Sequence, residues 1–566
     1  MFLPTTRQEM KTLSWDRPDV ILVTGDSYID SPFIGAALIG HVMHSAGYRV
    51  GIIAQPDTSS DSDISRLGEP QLFWGVTGGS VDSMVANRTA VGRKRKRDDY
   101  TPGGVNDRRP DRAAIVYSNL IRRYFKDTRP IVLGGIEASL RRVAHYDFWS
   151  DAIRRSILFD AKADYLLYGM AERSVVELAG CLRRGRDPRS VRGLCYISGD
   201  VPENCLILPS FDTVVKDKNA FAEMFHVFYR NNDPATALPL AQQQDTRWLV
   251  QNPPAFYLKG AELDAVYDLD YENDLHPHYR RRGSVKALET IRFSISTHRG
   301  CFGECNFCAI GVHQGRTVRS RSRESILAEA KRMVLHPEFK GIIYDVGGPT
   351  ANMYGVECRK KEREGCCSDK RCLTPERCPT LKVDHGRQIS LLKALRELKG
   401  VRKVIVASGI RHDMVMADRS KGDSYLRDLV RHHVSGQIKL AAEHSEKHVL
   451  DLMGRPDCDS LLMFRTRFYT LNRESGRKQF LTYYLIAAHP GCTEKDMKAL
   501  RIFASQKLKL LPEQVQIFTP TPSTYSTLMY WTGTDPFTGE SLFVEKSVKG
   551  RQRQKSIVAP PRKKHK

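Results

Sequence analysis

Short aliphatic runs alternate with helix-length apolar periodicity along most of this chain, and that rhythm restricts the fold more than any other feature. Val20–Thr24 (VILVT) is apolar throughout, as a strand covered on both faces must be, and it stops at Gly25 and Asp26. Residues 33–46 (FIGAALIGHVMHSA) have helical spacing, Gly47 closes them, and 49–54 (RVGIIA) supply the next strand, which completes a βαβ unit. A polar, basic stretch from Asp82 to Arg109 reads as a long loop with a functional role in prospect. A helix over 111–125, a strand at 131–133 running into GGIEAS, a helix near 150–159 and a strand at 165–168 resume the pattern. The class is therefore α/β, with an open α/β sheet over residues 1–200.

Residues 201–285 carry prolines and no clear period, so they are expected to be a connecting segment. Alternation returns near 290. Strands are expected at 291–297, 341–346, 403–408, 437–442, 482–487 and 514–518, with helices between them, among them Arg323–Leu335 and Lys447–Met453. Six strands at this spacing predict a partial (β/α)6 TIM-type barrel over 286–545, with its chemistry at the carboxyl ends of the strands. Residues 546–566 read as a basic, disordered tail.

Lys and Arg total 88 against 65 Asp and Glu, a formal charge of +23, concentrated in RKRKR at 93–97 and in that tail. Such an excess points to a polyanionic partner, RNA among the candidates; solvated loops are the plainer reading. No apolar run is long enough for a membrane span and the first residues lack a secretory signal, so a cytoplasmic protein without membrane attachment is expected.

Eight of the thirteen cysteines fall between Cys301 and Cys378. In a reducing compartment such clustering favours metal over disulfides. Cys301, Cys305 and Cys308 lie on the loop that should follow the first barrel strand. Soft thiolates select iron–sulfur clusters or zinc. Three ligands to a four-iron cluster leave one iron for a substrate or cofactor to complete; zinc, with His298 or His313 as fourth donor, is the rival. Cys358, Cys366, Cys367, Cys372 and Cys378 form a second group in the charged insertion 358–378, where nothing apolar is expected to bury them. They are read as a second metal site, either zinc or another iron–sulfur cluster.

The spacing CxxxCxxC, with Phe307 before its last cysteine, resembles the radical S-adenosylmethionine (radical SAM) superfamily. Further stretches agree in order: YDVGGPT at 344–350, LAAEHSEKHVL at 440–450, AHPGCTE at 488–494 and FTPTPS at 518–523. With TPGG at 101–104, RPDRA at 109–113, GGIEASLRRVAHYDFW at 134–149, YGMAE at 168–172 and SGIRHDM at 408–414, the chain is similar to the YgiQ-type radical SAM family. That resemblance implies an enzyme whose [4Fe-4S] cluster, on Cys301, Cys305 and Cys308, cleaves S-adenosylmethionine to a 5′-deoxyadenosyl radical that takes hydrogen from a substrate. It implies Gly347 and Gly348 at the methionine amine, although Pro349 replaces the family's acidic residue, and Glu443 and Ser445 at the nucleoside. A one-electron reductant such as flavodoxin or ferredoxin is the implied partner.

Residues 1–200 resemble a cobalamin-binding fold. DSPFIG at 30–35, however, has Pro32 where the cobalt-ligating histidine of DxHxxG would stand, so a histidine-ligated cobalamin is not expected; cobalamin held without that ligand and a purely scaffolding domain are the readings left, the second the plainer. Arg141, Arg142, His145, Tyr146 and Asp147 serve either a substrate or an internal hydrogen-bond network. Tyr483 and Tyr484 read as packing residues. The rival to the enzyme is a nucleic-acid-binding protein stapled by metal at both cysteine groups.

Overall fold

Every residue of Val20–Thr24 is buried, and in the computed structural model this run, β1, is an interior strand of a nine-stranded sheet, second from one edge. The structure describes residues 1–512 and 514–559. They fall into two units, one of Met1–Arg292 with Val312–Gln314, the other of Phe293–Gly311 with the chain from Gly315 onward.

The first unit takes α1 (Gly35–Ser45) from β1 to β2 (Val50–Ala54), followed by β3 (Phe73–Thr77), α2 (Ala113–Tyr124), β4 (Ile131–Gly134), β5 (Tyr165–Leu167), α3 (Glu172–Arg183) and β6 (Leu194–Ser198). β7 (Leu206–Leu208), β8 (Leu240–Gln244) and β9 (Arg247–Gln251) complete the order β7-β8-β9-β6-β5-β4-β3-β1-β2. The pairs β2-β1, β1-β3, β3-β4 and β4-β5 are parallel, and β6 enters antiparallel. The parallel core thus runs β2-β1-β3-β4-β5, a doubly wound order whose direction of winding reverses between β1 and β3. The expected connecting segment 201–285 is corrected here: it delivers three of the nine strands. β8 and β9 hid because glutamines share their buried positions with Leu240, Ala241, Leu249 and Val250. Gln242, Gln244 and Gln251 are all fully buried, and Gln242 and Gln244 accept the amides of Ala144 and Ser156 at 2.9 and 3.0 Å. The helix expected near 150–159 is shortened to Ile157–Asp160, because Ala152–Arg154 pairs with His145–Asp147 instead.

In the second unit β10 (Ser294–Ser296) pairs in parallel with β12 (Asp345–Gly347), and β11 (Ile342–Ile343) with β13 (Lys403–Val404). β14 (Gln437–Glu443), β15 (Phe480–Ala487) and β16 (Gln516–Ile517) form a parallel three-stranded sheet. The Val346 amide donates to the Ile405 carbonyl at 3.0 Å and Ile410 bridges in parallel to Leu440. Strand segments therefore succeed one another in chain order, as the partial barrel requires. α4 (Arg323–Leu335) and α5 (Lys447–Met453) keep the expected bounds.

The expected tail begins differently. Val548–Val558 is a helix, α7, capped by Ser547 and packed on α6 (Glu494–Phe503). Its inward stripe, Gly550, Arg551, Gln554 and Val558, has helical spacing hidden among basic residues. Gln554 accepts the Ala488 amide and donates to the Cys492 carbonyl, both at 3.0 Å, so α7 holds the turn after β15. Residues 560–566 of the expected tail lie outside the described residues.

Candidate active site

The loop of Cys301, Cys305 and Cys308 follows β10, as expected, after a short ladder of His298–Arg299 with Arg319–Ser320. Two backbone devices shape it. Gly300 has φ +76°, and a Cβ there would stand 2.2 Å from the Thr317 carbonyl oxygen, so only glycine allows that approach. Asn306 then pins the loop: its amide donates to the Met453 carbonyl at 2.9 Å, its side chain to Leu452 at 2.9 Å, and its own carbonyl accepts from Ser526 at 2.9 Å. α5 ends at Gly454 in the left-handed region, which leaves those last carbonyls free to accept.

The thiols are surrounded by donors. The Gly303 amide lies 3.3 Å from Cys301 Sγ and Thr350 Oγ1 3.6 Å from it. A Cβ at Gly303 would meet both Cys301 Sγ and Cys305 Sγ, at 3.2 and 3.6 Å. Two guanidiniums converge on Cys305 Sγ, Arg411 Nη1 and Arg455 Nη1, each at 3.7 Å. Arg411 is clamped by Asp413 at 2.6 and 2.8 Å, and Arg455 is anchored on the Ala441 carbonyl. Neither arginine received a role from the sequence, although Arg411 lies in SGIRHDM and Arg455 follows LAAEHSEKHVL by five residues; their convergence on one sulfur is a tertiary fact.

Loss of water around the sulfurs pushes the Cys301 and Cys308 thiols up, and the neighbouring cysteines add to it. Protonated thiols are what such a recess favours until a metal replaces the protons. The donor set, three soft sulfurs within a cationic field, thus fits a thiolate-bound anionic cluster. Among the described residues no group of three or more Cys, His, Asp or Glu side chains closes on a single ion. Ligands that each bond a different iron of a cluster need not do so.

Gly347 and Gly348 face protein. A Cβ on Gly348 would lie 2.6 Å from the His298 ring, and one on Gly347 3.1 Å from Ser408 Oγ. Burial lowers His298 to about 4, so the ring is neutral. Glu443 is buried with φ +64°; burial raises its carboxyl to about 7, against the opposing pull of Arg455 and Arg411. Ser445 turns instead to Glu446, at 2.9 Å.

The second cysteine group departs from expectation. Cys358, Cys372 and Cys378 are buried in an apolar cluster with Phe302, Val318, Met353, Leu381 and Met414, so the charged insertion does fold over a small core of its own. Cys366 and Cys367 are partly exposed.

In the first unit, the carboxyl ends of β1 and β3 carry a closed polar cluster. Arg109 Nη2 bridges Asp26 at 2.9 Å and Asp98 at 3.0 Å, and Ser80 donates its amide to Asp26 at 2.6 Å. Gln55 donates to Thr101 at 2.7 Å, and Thr101 to Asp98 at 2.9 Å. The long loop from Asp82 to Arg109 thereby seals this end, while Arg93–Arg97 stay exposed on it. Arg141 pairs with Asp82, and Arg142 donates to Gln251 and Asn232 at 2.9 and 2.7 Å between the rings of Tyr168 and Phe228. Asp147 pairs with Arg112 at 2.6 Å, and burial, then Arg141, lowers His145 to about 3. This group is an internal network. Asp30 of DSPFIG is likewise engaged, with His41 at 2.6 Å.

Comparison with known proteins agrees with these features. Residues 2–294 match the family model described as Radical SAM N-terminal. A UPF0313 protein of Fusobacterium nucleatum is 54% identical over 566 residues, all of both chains, and one of Thermotoga neapolitana is 50% identical over 561, covering 99% of this chain and 98% of its own. Among solved structures, the cobalamin-dependent S-adenosylmethionine radical enzyme OxsB with aqua-cobalamin bound superposes with a TM-score of 0.51 at 12% identity. That match spans 93% of this chain and 57% of OxsB, and it shows likeness of fold.

Proposed function

The chain belongs to the UPF0313 family of radical SAM enzymes, and from that premise we propose that Cys301, Cys305 and Cys308 hold a [4Fe-4S] cluster serving S-adenosylmethionine. The supporting observation is the convergence of Arg411 and Arg455 on Cys305 Sγ, on a loop at the carboxyl end of the first barrel strand. When bound, a reduced cluster supplies the electron for cleaving S-adenosylmethionine, the source of a 5′-deoxyadenosyl radical. The chain's part is binding and charge placement. The two guanidiniums offset the negative charge of thiolates and added electron, Glu443 offers a buried carboxyl to the nucleoside, and Gly347 and Gly348 keep the β12 end narrow; Ser445, bonded to Glu446, would have to turn from it to contact the nucleoside. Anaerobic reconstitution, reduction and addition of S-adenosylmethionine should yield 5′-deoxyadenosine, and Cys305→Ala should abolish it. Absence of 5′-deoxyadenosine from iron-loaded, reduced protein would overturn the reading.

The reductant is a one-electron carrier such as flavodoxin or ferredoxin, and the substrate is RNA or a nucleotide-bearing molecule. The exposed Arg93–Arg97 stretch and the charge of +23 support the latter. Phosphate contact predicts RNA affinity that falls steeply with salt; a flat response would remove RNA and leave the radical chemistry standing. Thirteen cysteines with no disulfide among the described residues suit a reducing compartment such as the cytoplasm, and no described helix is long and apolar enough to cross a membrane.

This reading assigns no cobalamin, the group bound by OxsB, to the first unit. Ligands of doubly wound sheets lie outside the strand ends where the winding reverses. There, a Cβ on Gly25 would stand 2.2 Å from the Gly78 carbonyl, one on Gly78 2.2 Å from Glu137, and one on Gly79 2.4 Å from Asp26. The glycines accommodate the protein's own atoms, and no step is derived through a corrin.

A further inference from the structure

Arg411 reaches Cys305 from a backbone that one buried side chain grips. Asn352 accepts the Arg411 amide on Oδ1 at 2.9 Å and donates through Nδ2 to the Arg411 carbonyl at 3.1 Å. A single amide thus holds both polar atoms of another residue's main chain. Asp413 already forks the guanidinium, so the seat of the backbone decides where Nη1 points. Asn352 also lies two residues after Thr350, whose Oγ1 is 3.6 Å from Cys301 Sγ.

Behind Asn352 stands His385. Its Nε2 lies 3.2 Å from Asn352 Nδ2, its Nδ1 lies 2.8 Å from Asp418 Oδ2, and its ring stacks on Tyr425 with centroids 4.6 Å apart. The side chains of His385 and Asp418 are both buried. Asp418 further accepts the amides of His385 and Lys421, each at 2.9 Å, and the amide and hydroxyl of Ser420 at 3.1 and 3.0 Å. Burial would raise this carboxyl, but His385 and these amides outweigh it and hold it well below the usual carboxylate range.

The network admits one assignment of protons. A carboxylate only accepts, so His385 Nδ1 carries the hydrogen. Asn352 Oδ1 is taken by the Arg411 amide, so its NH2 group faces His385, and an NH2 group only donates. Nε2 therefore offers its lone pair. A proton on Nε2 would set two donors face to face and work against the grip on Arg411.

We propose that Asp418, His385 and Asn352 form a positioning relay for Arg411. The carboxylate fixes the ring, the ring fixes the amide, and the amide fixes the backbone from which the guanidinium reaches Cys305 Sγ. This rests on the reading that Cys305 ligates a cluster, and it makes the relay a determinant of that cluster's reduction potential. A cation hydrogen-bonded to a ligand sulfur favours the reduced state, and the bond weakens quickly as its geometry is lost.

The test has two arms, so that failure of the relay and failure of the cluster reading are told apart. In the metal-free full chain carrying nitrogen-15 histidine, the ring assigned to His385 by its loss in His385→Gln should be protonated on Nδ1 and not on Nε2 at neutral pH. Asn352→Leu should shift its Nε2 resonance, the nitrogen that loses a donor. A His385 ring with its proton on Nε2 would overturn the proposal whatever metal the chain binds. In the reconstituted chain, potentiometric titration with electron paramagnetic resonance reads the potential. Arg411→Gln and Asn352→Leu should each move it to more negative values, and the double variant no further than Arg411→Gln alone, because Asn352 acts through Arg411. Asp418→Asn, close in size to the native residue, should move it the same way by less, and it replaces Asn352→Leu in both comparisons if circular dichroism shows that variant unfolded. A merely structural contact would lower the melting temperature and leave the potential alone, and that result, or shifts that add in the double variant, would sink the relay. A chain that takes up no iron yet carries the His385 proton on Nδ1 removes the cluster reading and leaves the grip on Arg411 standing.

Discussion

Both units end a set of parallel strands in a crevice lined by glycine and charge, yet the two crevices are built oppositely. In the first, every close approach that glycine permits is taken by the chain: Gly25 by Gly78, Gly78 by Glu137, Gly79 by Asp26. Its charged groups meet one another, with Arg109 bridging Asp26 and Asp98. In the second, Gly303 opens toward two thiols, and two guanidiniums point at a sulfur. A strand-end crevice is therefore no evidence of a ligand by itself. What separates the two ends is what meets there: the chain's own carboxylates and carbonyls in the first, thiols and guanidiniums in the second.

The largest expected effect comes from breaking the sealed end. Arg109→Ala strands two buried carboxylates and should cost about 3–5 kcal/mol of the first unit's stability, read from denaturant unfolding. A loss below about 1 kcal/mol would show that the cluster does not hold this crevice closed. Gly79→Ala should follow at roughly 1–3 kcal/mol, since its φ of +113° strains any other residue and the new methyl meets Asp26. Gly303→Ala sharpens the contrast. It should leave unfolding nearly unchanged while lowering the iron bound after reconstitution, and equal thermal losses in the two glycine variants would erase the distinction.

A smaller effect probes the guanidiniums at the thiols. Arg455→Gln should shift the reduction potential of the reconstituted cluster to more negative values by some tens of millivolts, because the reduced state carries the extra negative charge that the guanidinium stabilises. Potentiometric titration followed by electron paramagnetic resonance reads it, and an unmoved potential would remove the electrostatic role. Titration of the unaltered protein with aquocobalamin should give no spectral change; stoichiometric binding would show that the sealed end opens.

The smallest effect serves as a control outside both crevices. Burial would raise Glu9, but His276 at 3.2 Å and the amides of Thr5 and Thr6 outweigh it and bring the carboxyl to about 2. Its folded value lies below the ordinary 4.5, so its contribution is complete above about pH 4.5 and is lost as pH falls toward 2. Glu9→Gln should flatten the melting temperature across that window by a small amount, the side chain being partly exposed. A pH profile identical to that of the unaltered protein would contradict the pairing.

Where local chemistry sufficed, the sequence was legible. Val20–Thr24 could be read as a strand because it is apolar on both faces, and the bounds of Arg323–Leu335 and Lys447–Met453 followed from periodicity and caps. It failed where polar residues go inside. Gln242, Gln244 and Gln251 conceal two strands, and the inward Gln554 and Arg551 conceal a helix within a basic segment. The insertion was misjudged for the opposite reason: its thiols find apolar partners such as Phe302 and Met414 from distant segments.

Spacing along the chain was enough to identify the three-cysteine loop, the order of the strands and the family, because these are patterns within short windows and need no partner from elsewhere. The assembled molecule alone decided that Arg411 and Arg455 meet at Cys305, that Lys361 turns in to the Arg316 carbonyl, and that Arg109 meets Asp26. Each of those is an encounter between groups far apart in sequence, where Coulomb energy and loss of water depend on a distance that no linear pattern encodes.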